Sequence, residues 1–148
     1  FLMRDIVEAG PELLEFYVLQ PQNGQAELRQ YMVRKGYCIL KEIIMKDMGK
    51  MYTAFLAVRQ DLVNRSSHYS NMDFANMNYT VYDTLPFTSI LWSVGGVLEK
   101  EKPALWNEYI DYLMYQRQCA LNGMTKELSH TEKYKKLQVE IDELERVR

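Results

Sequence analysis

The 148-residue chain is poor in the residues that mark many kinds of site. Cysteine occurs twice, as Cys38 and Cys119, far apart and in no C-x-x-C spacing. That argues against a disulfide framework or a cysteine-rich metal site, and for free thiols in a reducing, cytoplasmic setting. Histidine also occurs twice, as His68 and His130, neither beside a ligand pattern, so no metal site is expected. No Ser/His/Asp arrangement stands out. No apolar run approaches the roughly 20 residues of a membrane span, and no secretory signal is recognisable. The net charge is −2, which gives no global basic signature of a nucleic-acid-binding domain. Internal repeats and low-complexity tracts are missing too.

What the chain does have is apolar and aromatic. Hydrophobic residues make up 47%, with 11 tyrosines, enough for one medium domain or a small domain with an appended element. The opening "FLMRDIVEAG" reads as the middle of an amphipathic helix, with Leu2, Met3, Ile6 and Val7 on one face and no N-cap before it. Gly10-Pro11 stops it after Ala9. A chain that opens in this way, without Met, is expected to be the C-terminal part of something longer.

Phe16, Tyr17, Val18 and Leu19 follow in an unbroken row, the pattern of a strand covered on both faces. A helix over Gly24 to Lys35 comes next, with Ala26, Leu28, Met32 and Val33 as its apolar positions and Gly36 as its stop. Tyr37 to Lys46 and Lys50 to Arg59 read as two strands of an antiparallel hairpin, with Asp47 and Gly49 supplying turn chemistry. Strand, helix, strand, strand is an α/β signature, with the hairpin on one edge of the sheet. Residues 61–84 read as a linker rich in Asn, Ser and Tyr, with a short helix near Met72 to Met77.

Leu85 to Leu98 is apolar and interrupted by Gly95-Gly96. Pro103 suits the N1 position of a long helix. Along that helix Trp106, Ile110, Leu113, Ala120 and Met124 form a stripe, with Arg117 in the one polar slot and Gly123 at the end. A last helix starts near Thr131, with Tyr134, Leu137, Ile141 and Leu144 at alternating spacings of three and four. Together these two read as an antiparallel coiled-coil hairpin. The expected organisation is therefore 1–60 as part of an α/β domain, 61–84 as linker and 85–148 as a helical coiled-coil domain.

The first strand ends in Gln20-Pro21-Gln22-Asn23. Ligands of open α/β sheets bind at the carboxyl ends of strands. Amides there offer both donor and acceptor to the edge of a flat heterocycle, and a proline offers a flat apolar surface. The plainer reading makes them a turn with Asn23 as helix N-cap.

Four further segments carry a resemblance. Leu19-Gln20-Pro21, Leu28-Arg29-Gln30-Tyr31-Met32, Gly36-Tyr37 and Gly49-Lys50-Met51-Tyr52 stand in the order and spacing of the bacterial tRNA (adenine-N1)-methyltransferases that modify position 22. The later "LEKEKPALWNEYIDYL" resembles that family's segment leading into its C-terminal coiled coil. The match covers most of the chain and is weakest across Gln60 to Asp83. It implies the C-terminal part of a class I Rossmann-like methyltransferase that uses S-adenosylmethionine to methylate an adenine N1 in tRNA. The glycine-rich cofactor loop and the ribose-binding acid of such enzymes would precede Phe1, so this fragment should bind no cofactor properly and be inactive alone. Adenine N1 is an in-plane nucleophile and the sulfonium methyl an activated electrophile, so the work is alignment and exclusion of water, after the base has left its stack. Gln20, Pro21, Gln22 and Asn23 would line the target-base side. Gln22 is an insertion relative to the commoner Leu-Gln-Pro-Asn, which leaves the Asn role open between Gln22 and Asn23.

No residue stands out as a catalytic acid or base. Tyr109, Tyr112 and Tyr115 could stack on nucleotides, although at helical spacing packing is the commoner reason. Of the basic groups, Lys100 and Lys102 fall within the family-like segment and are candidates for RNA phosphate contacts. Two other classes remain: a non-enzymatic α/β plus coiled-coil interaction module, and a methyltransferase with another substrate. As a fragment, the chain should expose one edge of its first strand and associate with itself there or through the helical hairpin.

Overall fold

The computed structural model describes residues 15–63 and 78–148, together with Asp5 and Glu8. Asp5 and Glu8 are helical. The rest of the helix expected over Phe1 to Ala9, its Gly10-Pro11 stop and the short helix near Met72 to Met77 lie outside the described residues.

The described residues form a mixed α/β structure. Strand β1 (Phe16–Leu19) leads through the Gln20–Asn23 loop into helix α1 (Gln25–Arg34). Strands β2 (Tyr37–Asp47) and β3 (Lys50–Arg59) then form the hairpin. Its turn places Met48 and Gly49 at φ 44 and 77, the two-residue arrangement whose twist matches paired strands. The sheet order is β1-β3-β2, and both pairings are antiparallel. A bulge between Ile39 and Lys41 shifts the alternation of β2, so that Ile39 and Glu42, three residues apart, stand opposite Ala57 and Phe55, two apart on β3.

One face of the sheet carries Tyr17, Leu19, Ile39, Phe55 and Ala57. Leu28 and Met32 of α1 close over it, with Tyr82, Trp92 and Val97 from later in the chain. On the opposite face Cys38, Leu40 and Val58 pack under Leu62 and Val63 of a one-turn helix α2 (Gln60–Val63). That cover does not extend over β1. Phe16 and Val18 are exposed, Val18 by 70%, so β1 alternates out and in and is not covered on both faces. Its row of four apolar residues mimics a doubly buried strand, but among the described residues only one face has a layer on it.

A 3-10 turn (Asn78–Asp83) leads to two short helices, α3 (Leu91–Val94) and α4 (Gly96–Glu101), which meet at Gly95. Helix α5 (Trp106–Asn122) and helix α6 (Glu132–Val147) run antiparallel. Trp106 Nε1 donates to the Arg148 carbonyl at one end, and Arg117 pairs with Glu140 at 2.7 Å further along. Thr131 caps α6 by accepting from the Tyr134 amide at 3.3 Å. Helix α5 begins three residues after Pro103, which instead holds the preceding turn by accepting from the Trp106 amide at 2.8 Å. Ala120 is exposed and Leu121 is buried in its place. From Ile110, an undistorted helix brings position 121 back to the same face, whereas a strict heptad step from Leu113 would bring position 120. The buried stripe of α5 thus follows the straight-helix period.

Candidate functional site

The loop after β1 is held from within. Gln25 donates to the Gln22 carbonyl at 3.2 Å and to the Pro21 carbonyl at 3.5 Å. The N-cap of α1 is Gly24, at φ 67, and no side chain caps it, so Asn23 does not take the capping role. Pro21 is buried, and the side chains of Gln22 and Asn23 are left exposed.

Those residues form one wall of a cavity of about 250 Å³. Pro21, Gln22, Asn23 and Gln25 make the first wall. Lys50, Met51, Tyr52 and Thr53, at the start of β3, make the second. Tyr109, Tyr112, Leu113 and Gln116 of α5 make the third, at i, i+3, i+4 and i+7 spacing, which is one face of a helix. The cavity therefore lies where the carboxyl end of β1, the hairpin and the long helix meet.

The lining suits a polar, planar ligand better than an acid–base reaction. It holds four side-chain amides, three phenols and the cation of Lys50, and no carboxylate. The Thr53 hydroxyl is buried, 2% exposed, and lies beside the Tyr109 phenol. The neighbouring Tyr109 phenol donates to the Val94 carbonyl at 3.4 Å, and burial pushes its pKa up, so it stays neutral. The three tyrosines of α5 separate by position. Tyr109 is buried against Trp106, Tyr112 is half-buried and lines the cavity, and Tyr115 is 69% exposed on another side.

A buried charged cluster fixes the walls. Arg29 of α1 and Glu42 of β2 are both removed from solvent and pair at 2.7 Å. Arg29 also donates to the carbonyls of Trp92 and Ser93, at 3.0 and 3.1 Å. The other Glu42 oxygen accepts from the Tyr82 hydroxyl and the amides of Val97 and Leu98. Tyr82 in turn accepts from the Gly96 amide at 2.7 Å. Burial, the largest single effect, would lower the Arg29 pKa, but the Glu42 carboxylate together with the Tyr82 and Tyr109 oxygens outweighs it and holds the guanidinium charged. One salt bridge thus ties α1, the hairpin, the 3-10 turn, α3 and α4 together. Paired and almost fully hydrogen-bonded, it favours one mutual arrangement of those elements.

The residues expected to act together are only partly brought together. Pro21, Gln22 and Asn23 line the cavity, and Gln20 is exposed outside it. Lys100 and Lys102 are exposed and lie outside it as well. Lys100 sits 3.5 Å from Glu99, and Lys102 donates to the Arg148 carbonyl at 3.2 Å, closing the end of the helical pair. Sequence reasoning does not single out Lys50, Thr53 or Gln116 as site residues, whereas it offers Tyr109 and Tyr112 as stacking candidates with packing as the commoner reason. Lys50 did carry a signal, as the basic residue next to the hairpin turn in the family-like Gly49-Lys50-Met51-Tyr52. Among the described residues no cluster of His, Cys, Asp and Glu could hold a metal, and no helix is long and apolar enough to cross a membrane.

The mixed α/β structure is similar in fold to part of several solved structures. The Streptococcus pneumoniae protein Sp1610, provisionally assigned as a tRNA (m1A22) methyltransferase, superposes with a TM-score of 0.68 at 18% identity, over 97% of this chain and 55% of that one. The Bacillus subtilis M1A22 tRNA methyltransferase TrmK gives 0.63 at 22% identity, over 97% and 56%. The M. capricolum TrmK in complex with S-adenosyl-homocysteine gives 0.65 at 15%, over 97% and 53%. The chain thus spans little more than half the length of these structures. No match is found among curated protein sequences. The sequence profile of TrmK, tRNA (adenine(22)-N(1))-methyltransferase, matches residues 1–146, and the chain belongs to that family.

Proposed function

We propose that this chain is the C-terminal part of a cytoplasmic S-adenosylmethionine-dependent enzyme that methylates N1 of an adenine in tRNA, and that it holds the RNA. The observation that carries this reading is the family match over residues 1–146. The division into 1–60, linker 61–84 and 85–148 is kept as an organisation by role. The first part supplies the strand end and hairpin, and the last supplies a coiled-coil-like helical pair that extends the RNA surface. Lys100 and Lys102, both solvent-exposed, are proposed to meet phosphate on that surface.

The cavity itself does not suit the cofactor. It has no carboxylate for a ribose, and its one fixed charge, Lys50, would repel a sulfonium. The cofactor is therefore assigned to the part of the enzyme outside this chain, and the chain's contribution is binding and orientation. Gln20, Pro21, Gln22 and Asn23 present an amide-rich strand end to the target base. Such side chains can hold the base edge without taking a proton, as an in-plane nucleophile requires.

The test is methyl transfer from labelled S-adenosylmethionine to unmodified tRNA by the full-length enzyme, with nucleoside analysis. N1-methyladenosine is expected from the full-length enzyme, and no transfer from the 148-residue chain alone. Transfer to a different base, or none by a folded, cofactor-binding enzyme, would remove the substrate assignment.

The isolated chain is also proposed to self-associate. Among the described residues β1 pairs only with β3, and Phe16 and Val18 are exposed beside the other edge. Sedimentation of the chain should show a dimer or larger species, which Val18→Lys should dissociate. A monomer at all concentrations would contradict it.

A further inference from the structure

We propose that the cavity between the Pro21 loop, the start of β3 and α5 is a subsite for a nucleotide that flanks the reacting adenine in the RNA strand. This rests on the reading of the chain as the RNA-holding part of a tRNA methyltransferase. It goes beyond that reading by assigning a second nucleotide to Lys50, Thr53, Tyr112 and Gln116, which the family-like segments did not mark for base contact, with Pro21, Gln22 and Asn23 shared between it and the target base.

Four features support the assignment. The volume, about 250 Å³, is below the roughly 300–1,000 Å³ of pockets that enclose a drug-sized ligand, which suits a single base better than a whole cofactor. Pro21 and the half-buried Tyr112 both line the cavity, and rings of these kinds are surfaces on which a base can stack regardless of its identity. Lys50 is exposed at the rim and places a cation where a backbone phosphate can meet it. The buried Thr53 hydroxyl lines the cavity beside the Tyr109 phenol, and a hydroxyl there has donor and acceptor capacity for a base edge entering the cavity. The absence of a carboxylate on the walls fits a subsite that holds but does not react. Gln20 is exposed and lies outside the cavity, which leaves it for the target base.

The test uses two measurements on the same variants, Lys50→Met, Gln116→Leu, Tyr112→Leu and Thr53→Val. Lys50 and Gln116 are exposed, so their replacement should leave folding intact even if that of Tyr112 does not. The first measurement is the affinity of the 148-residue chain for a fluorescein-labelled single-stranded RNA hexamer across a salt series. Tyr112→Leu should weaken binding about tenfold. Lys50→Met should weaken it and reduce the slope against log salt by about 0.7, a change a purely structural lysine would not produce. Thr53→Val should bind more weakly. The second measurement is steady-state kinetics of the full-length enzyme. KM for tRNA should rise about tenfold for the Tyr112 and Lys50 variants, with kcat within twofold and unchanged S-adenosylmethionine affinity.

No hexamer binding by the parent chain, or equal binding by folded variants, overturns the subsite. A loss of kcat without a rise in KM also overturns it, because the cavity would then hold the reacting base. Hexamer binding that the variants lose, in an enzyme that methylates no tRNA, supports the subsite and removes only the methyltransferase reading.

Discussion

Arg29→Ala is expected to cost the folded chain roughly 3–5 kcal/mol, the range for breaking a buried pair by removing one partner. The reason lies in what remains. Glu42 is buried beneath α1 and α4, and without the guanidinium its charge has only neutral donors around it. The carbonyls of Trp92 and Ser93 lose their side-chain donor at the same time. A double replacement, Arg29→Met with Glu42→Leu, distinguishes the pair from its setting. Apolar substitutes for a buried pair are often tolerated, but here the amides of Val97 and Leu98 and the Tyr82 hydroxyl would lose their acceptor. The double variant should therefore recover only part of the loss. Urea unfolding of the three proteins measures this. A loss below about 1 kcal/mol for Arg29→Ala would mean that the pair is not shielded from water.

The consequence should reach the cavity. Arg29 lies one turn along from the residues that open α1, and Glu42 lies on the strand facing β3. The cluster therefore sets the distance between two of the three walls. On the proposed RNA-holding role, a variant that keeps its fold but lacks this tie should bind the RNA hexamer more weakly than the parent chain.

Local patterns were readable where one segment decides its own structure. The hairpin appears within a residue of its expected bounds because two long apolar strands flank a two-residue reversal. Thr131 is visible as a cap because capping is local. The unreadable parts depend on distant partners. By residue type Arg29 belongs on the surface of α1, and only the meeting of α1 with Glu42 and the Trp92–Ser93 carbonyls makes its burial affordable. The choice between Ala120 and Leu121 depends on whether α5 supercoils, which a stripe of apolar residues cannot reveal. The loop at Gln20–Asn23 is legible as a strand end from its position in an α/β pattern. That Pro21, Gln22 and Asn23 share a cavity with Tyr112 and Gln116 is not, because α5 reaches it only by docking on the sheet.

Gly95→Ala is the second large effect, and it separates conformational strain from contact. Gly95 has φ 116, a backbone region that L side chains rarely adopt, and a Cβ there would lie 2.8 Å from the nearer Glu42 oxygen and 2.9 Å from Leu98 Cδ1. The same Glu42 oxygen accepts from the Val97 and Leu98 amides, so it cannot retreat without giving up those bonds. Strain and overpacking together should cost roughly 3 kcal/mol or more. Gly49→Ala supplies the comparison. Its φ of 77 is also positive, but a Cβ there meets nothing within 4 Å. That variant should lose only the left-handed penalty, roughly 1–2 kcal/mol. The difference between the two in thermal or urea unfolding measures how rigidly the Glu42 carboxylate is held. If both variants lose the same amount, the carboxylate moves freely, and the cluster around it cannot be what fixes the cavity walls.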